Sequence, residues 1–293
     1  MKKMRNMLIV TGMLLLLFSC GVSKPEALFW KAEGERCTVY LLGSIHVGKQ
    51  EFYPLPDYIE ETFSTSEQLA VEANLQSDNM SNYTAMIQEM GMYPLDDSLE
   101  NHIPKELYDR IGAYVGSFGL EMTSLKMMKP WIIAMMVQML ELKNQGLDET
   151  LGIDKHFLDL AQETNKPIIE LEGVENQIAF FNGFSDSLQV AYLTDLLDNQ
   201  FTIFAQMDSL ITAWQNADVE AIEKTMLSES KKEELKPLYE VLIYKRNADM
   251  AEKIDVFLKE GKSTFVVVGA AHLIGERSIV DILKKKGYSV ALY

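Results

Sequence analysis

Apolar residues along this chain fall into two patterns: short unbroken runs, and longer stretches in which they recur at helical spacing. The unbroken runs lie mainly near the two ends. Phe29 to Leu42 reads as two β segments joined at Glu33-Gly34-Glu35, a hairpin. Gln68-Leu-Ala-Val-Glu72 is a short strand that ends on a carboxylate. Lys166-Pro-Ile-Ile-Glu-Leu-Glu172-Gly173 is another, ending in acid and glycine. Ser263 to Val268 predicts a strand buried on both faces, and Gly287 to Tyr293 a terminal one.

Helical spacing fills the interval between them. Pro54-Leu-Pro opens a helix over 57 to about 63, with Asp57 as its N-cap. From Met80 to about Ala161 the pattern is helical throughout. Leu107, Ile111, Tyr114, Val115 and Phe118 mark one face of a helix over 105–118. Pro130 opens a segment to Leu142 so apolar that it predicts a buried helix, with its methionines as adaptable core filling. Asp154 to Glu163 is the next helix. Ser187–Ala213, Asp218–Ser228 and Lys231–Lys259 are amphipathic, the last closed by Gly261, and a final helix covers Ser278 to Lys286. Strands at both ends with helical excursions between them predict an α/β (α+β) fold. It would be one central mixed sheet flanked by helices, with a helical insertion over about 80–161.

The first residues follow a different logic. Met1-Lys-Lys-Met-Arg5 is basic, Met7 to Phe18 is apolar but too short to span a bilayer, and Leu17-Phe-Ser-Cys20 closes the run. This resembles the lipobox of a bacterial lipoprotein, with residues 1–20 as the signal and Cys20 as the lipidated residue. The expectation is an exported chain held at a cell-envelope membrane through that lipid. Cys37 is then the one thiol left, too few for an internal disulfide. The chain carries 43 acidic against 27 basic residues, a net charge of −16, which argues against nucleic acid as a partner.

Candidate chemistry rests on a repeat. Val39-Tyr-Leu-Leu-Gly43-Ser-Ile-His46 and Phe265-Val-Val-Val-Gly269-Ala-Ala-His272 each end a buried strand at glycine and place histidine three residues on. They use two of the four histidines in the chain. If these strands and the one ending at Glu72 are neighbours, His46, Glu72 and His272 meet at one sheet edge, where open α/β sheets gather ligands. Two imidazoles and a carboxylate suit a catalytic divalent metal. Without metal, they suit general base catalysis. His156 begins a helix and is a weaker candidate, and His102 reads as a surface residue.

Gly43-Ser-Ile-His46-Val-Gly48, Val71-Glu72-Ala-Asn74, Lys129-Pro-Trp131, Lys166-Pro-Ile-Ile-Glu-Leu-Glu172 with Gln177, Arg246-Asn247 and Gly269-Ala-Ala-His272-Leu273 stand in order along the chain. Together they resemble the TraB/GumN family, which includes the Tiki proteases and belongs to a clan containing erythromycin esterases. The resemblance covers about 28–293. It implies a hydrolase acting on a peptide or small ester, with His46, Glu72 and His272 as metal or catalytic residues and a divalent metal (Mn²⁺, Co²⁺ or Zn²⁺) as cofactor. Arg246 would contact developing negative charge. Glu172 would be a fourth ligand, an acid/base or a helix-capping carboxylate, with Glu170 competing for its place. The family usually has threonine where this chain has Gly173. A metal-free histidine/glutamate hydrolase and a non-catalytic binding lipoprotein are the alternative expectations.

Overall fold

The computed structural model describes residues 27–293, apart from 75–76, 228–231 and 234, and the backbone alone at 77–82 and 200–205. The expected signal segment and Cys20 lie outside the described residues, as do Ser228 and Lys231, expected ends of two helices.

Six strands build one sheet. They are β1 (Phe29–Glu33), β2 (Thr38–Ser44), β3 (Gln68–Val71), β4 (Ile168–Glu170), β5 (Thr264–Gly269) and β6 (Ser289–Leu292), in the spatial order β4-β3-β5-β2-β1-β6. β4, β3, β5 and β2 run parallel, while β1 pairs antiparallel with β2 and with β6. The sheet is therefore mixed and flanked by helices, an α/β fold. Its apolar centre explains the unbroken runs: five of the six residues of β5 are buried, and so are all four of β3.

Between β2 and β4 come α1 (Asp57–Thr65), α2 (Ser77–Gly91), α3 (Lys105–Gly116), α4 (Met122–Leu125), α5 (Pro130–Asn144) and α6 (Ile153–Glu163). Beyond β4 follow α7 (Val174–Asn182), α8 (Asp186–Ala205), α9 (Met207–Gln215), α10 (Val219–Met226), α11 (Lys236–Tyr239), α12 (Arg246–Glu260) and α13 (Ile279–Lys285). The residue before α1 is Pro56, with no side-chain cap; Asp57 is the first helical residue rather than its N-cap.

The helical segment over 80–161 does not pack as one unit. Phe157 of α6 joins the sheet core against Phe265 and Phe63, their rings 4.8 and 5.2 Å apart. A second core joins Leu107 and Ile111 of α3, Ile133 and Val137 of α5, and Leu193 and Leu196 of α8, which lies far outside that segment. Both stretches expected as single long helices are broken. One breaks at Gln206 between α8 and α9. The other passes through a π-helical turn, Glu240–Lys245, before α12 begins. Gly261 closes α12 in the left-handed conformation, with φ of 79°. No helix among the described residues is long and apolar enough to cross a membrane.

Candidate active site at the ends of the central strands

The repeated glycine–histidine units lie on neighbouring parallel strands, nearly in step: Gly43 stands opposite Val268, and Ser44 opposite Gly269. β3 flanks β5 on the other side, with Val71 opposite Val267, so Glu72 follows at the same edge. His46, Glu72 and His272 are brought together there. A methyl group on Gly269 would lie 3.3 Å from Glu72 Oε1, 3.5 Å from His46 Nε2 and 3.6 Å from His272 Cδ2. The bare backbone of Gly269 is the floor of a cradle between the three side chains.

Each imidazole is held from behind. Asp154, in the first turn of α6, accepts from His46 Nδ1–H at 2.9 Å and from the Ser44 hydroxyl at 2.8 Å. The loop carrying His46 is stitched to the approach of α6 by paired backbone bonds between Gly48 and Asp148 and by Ile153 N–H donating to the Ile45 carbonyl. On the other strand, Asn247 Oδ1 accepts from His272 Nδ1–H at 2.6 Å. Both side chains are buried, Asn247 almost completely. Each histidine therefore directs Nε2 to the cradle, the arrangement that outer-shell partners impose on ligating or proton-transferring imidazoles. His46 remains the accessible member, its side chain 65% exposed, whereas that of His272 is 5% exposed.

Glu72 is engaged at both of its oxygens. Its Oε1 accepts the Gly269 N–H at 2.6 Å and lies 3.7 Å from His272 Nε2. Its Oε2 accepts from Arg246 Nη2 at 2.6 Å and Gln177 Nε2 at 3.2 Å. Arg246 also forks onto Glu172, Nε to Oε1 at 2.7 Å and Nη2 to Oε2 at 2.6 Å, and its Nη1 donates to the Leu242 carbonyl at 3.0 Å. Four of the five guanidinium N–H groups are thereby used.

Glu172 thus stands as a buried partner of Arg246 and does not cap α7. Glu170 is exposed and accepts the Asn74 N–H at 2.7 Å. The turn separating them is fixed by Glu172 N–H and Gly173 N–H, both donating to the Glu72 carbonyl at 2.9 Å. Gly173 has φ of 91°, a conformation that strains a threonine, which accounts for the glycine at this place.

These contacts set the charges. Burial pushes Glu72 up, but His272, Arg246, His46 and the Gly269 N–H outweigh it and hold the carboxyl at about 2. Burial lowers His272 to about 4, with Glu72 opposing and Arg246 and His46 assisting, so its imidazole is neutral at physiological pH. The adjacent Asp154 carboxylate raises His46 to about 9.

His156 turns to Glu60, 3.2 Å away, and His102 stacks on Tyr93 and pairs with Asp97; neither enters the cradle. Asp154 is the functional candidate that sequence reasoning passed over, since a first-turn acid is what a helix dipole favours anyway.

As a metal centre, the donors fit in kind: two outward-anchored imidazoles, a carboxylate with a lone pair to spare, and a floor without a side chain. They are not already closed into a shell, for among the described residues no three His, Cys, Asp or Glu side chains are grouped to hold an ion. His272 and Glu72 form the fixed pair, and His46 is the exposed third donor.

The TraB/PrgY/gumN family description matches residues 28–291. The uncharacterised protein YbaP of Escherichia coli K12 is 29% identical over 245 residues, 84% of this chain and 87% of that protein. A protein named metalloprotease TIKI homolog, from Amphimedon queenslandica, is 24% identical over 312 residues, 89% of this chain and 60% of the relative. Human metalloprotease TIKI1 is 23% identical over 308 residues, 86% of this chain and 59% of its own length. No solved structure matches the chain. With its paired glycine–histidine strands and the match over nearly the whole described fold, the chain belongs to the TraB/PrgY/gumN family.

Proposed function

We propose that this protein is an exported hydrolase of peptide bonds, tethered to the membrane by lipid on Cys20, with His46, Glu72 and His272 around a divalent metal. The observation that carries the reading is the convergence of His46 Nε2, Glu72 Oε1 and the His272 ring over Gly269. The TIKI metalloproteases among its distant relatives support the reaction class and the peptide substrate. A small ester is the competing substrate.

When bound, Mn²⁺, Co²⁺ or Zn²⁺ would lower the pKa of a water and polarise a scissile carbonyl. The chain's own residues do the rest. Asp154 and Asn247 hold the two rings with Nε2 inward. Arg246, with one N–H left, fixes the direction of Glu72 and keeps it ionised, and Glu172 balances the guanidinium charge. That occupancy makes Arg246 a positioning group more than a receptor for the substrate's developing charge.

A metal-free mechanism is favoured by one observation: the buried His272 ring has the Glu72 carboxylate beside its Nε2. There, neutral His272 would take a proton at Nε2 from an attacking water, and the Glu72 charge 3.7 Å away would stabilise the imidazolium.

Metal analysis of the purified protein, together with peptide and ester hydrolysis by His46→Ala, Glu72→Gln and His272→Ala, separates these. Each substitution should cost at least roughly 100-fold in turnover, with bound metal falling in step. Lost turnover at unchanged metal content would transfer the assignment to the metal-free mechanism. Three fully active variants would overturn both. The tether has its own test: Cys20→Ala should leave the membrane fraction.

A further inference from the structure

A cavity of about 250 Å³ lies beside this site. Its wall is formed chiefly by Leu196 of α8, Met226 of α10, Leu238 of α11, Leu242 and Ile243 of the π-helical turn, and Ala271. The polar groups that reach it are already engaged with one another or with neighbours. Gln138 Nε2 donates to the Tyr192 hydroxyl at 2.6 Å, and Asp195 pairs with Lys232 at 2.7 Å.

Two connections tie this cavity to the proposed chemistry. Ala271 directly precedes His272 in the turn that leaves β5, so the cavity and the imidazole share one stretch of backbone. The carbonyl of Leu242, one of the lining residues, receives Arg246 Nη1, while Nη2 of the same guanidinium holds Glu72. One rigid group thus fixes the distance between the pocket wall and the reacting edge.

We propose that this cavity receives one large apolar side chain of the substrate, of leucine, methionine or phenylalanine type, adjacent to the bond that is cut. The proposal rests on the hydrolase reading for the bond but not for the pocket. Size and chemistry select the occupant. An apolar cavity of about 150 Å³ suffices for a benzene ring, so this one has room for a single branched or aromatic side chain. A lysine or aspartate side chain would lose its hydration against these apolar walls, and the one carboxylate there, Asp195, already carries Lys232 as its counter-charge.

The test uses the intact protein and internally quenched peptides that differ at one residue: Ala, Leu, Phe, Lys or Asp. Wild type should prefer Leu and Phe. Ile243→Trp, which fills the cavity from a half-buried position, should lower kcat/KM for those two by roughly 10-fold or more while sparing the Ala peptide. Leu242→Ala, which enlarges it, should shift preference from Leu towards the bulkier Phe. A preference for Lys or Asp, or an unchanged profile in both variants, would overturn the proposal. If wild type cleaves none of the peptides, the hydrolase reading fails and binding decides the pocket. Titration with N-acetyl-leucinamide should then move the methyl NMR signals of Ala271, Leu238 and Ile243, with N-acetyl-alaninamide as the weak control. Unmoved signals would overturn it.

Discussion

Arg246 and Asn247, adjacent at the start of α12, secure the two halves of one pair: Arg246 grips Glu72, and Asn247 grips the His272 that faces it. Successive helix residues point about 100° apart, so one helix end reaches both sides of the site. The π-helical turn just before it sets that phase. Such turns recur at functional positions.

The Asn247 contact is predicted to matter for chemistry more than for folding. Asn247→Ala leaves His272 Nδ1 without its acceptor and the ring free to change tautomer. Hydrolysis should fall roughly 10–100-fold, with circular dichroism unchanged. Asp154→Asn should act in the same way on His46. Full activity in both would show that the rings need no outside orientation.

Arg246 carries a structural load. Its side chain is 11% exposed, and those of Glu72 and Glu172 are 7% and 4% exposed. Arg246→Met would leave two buried carboxylates facing each other, at a cost of about 3–5 kcal/mol. Urea denaturation measures this. In the double variant with Glu172→Gln, part of the loss should return, because one uncompensated charge is gone.

Gly269→Ala probes the cradle without touching a titratable group. The backbone there, φ −51° and ψ 137°, is ordinary for an L-residue, so the strand should tolerate the change. The added methyl would press on Glu72 Oε1 at 3.3 Å and lie in van der Waals contact with His46 and His272, filling the floor between them. A 1 Å misplacement costs on the order of 100-fold in rate, so a shift of a few tenths should cost roughly 10-fold. A fully active, well-folded variant would place the reaction elsewhere.

Away from the site, Asp255 supplies a pH-dependent share of stability. Burial raises its carboxyl, but Lys259, Tyr288 and Lys286 together lower it from 3.8 to about 2. Tyr288 donates to Oδ1 at 2.5 Å. A depressed folded value stabilises the native state above the unfolded one, and that stability drains away as pH falls from about 4 to about 2. Asp255→Asn should therefore cost about 2 kcal/mol at pH 7, and the gap from wild type should narrow at pH 3. An equal gap at both pH values would contradict this.

Much of this was legible in the chain. The two unbroken apolar runs ending in Gly-x-x-His read as buried strands; the structure pairs them in parallel, and their histidines meet Glu72 at one edge. What escaped were features with no periodic signature. Residues 231–259 have continuous amphipathic spacing that conceals the π-helical turn. Strand alternation puts Glu170 and Glu172 on the same face, but β4 stops at Glu170, and the turn sends one carboxylate out to Asn74 and the other in to Arg246. The partnership of α8 with α3 and α5 depends on contacts across some 80 residues, which local spacing does not record.

The pairing of β2 with β5 joins residues 39–44 to 264–269, the opposite reaches of the chain. Synthesis in chain order therefore delivers His46, Glu72 and Asp154 well before the strand and turn that bring His272 to them. Contacts of such sequence separation are costly to close and form only once the far segment is free. The candidate site is complete only once β5 has been made and laid between β3 and β2. Until that strand arrives, His46 and Glu72 stand on separate pieces of sheet, and the centre they would share with His272 does not exist.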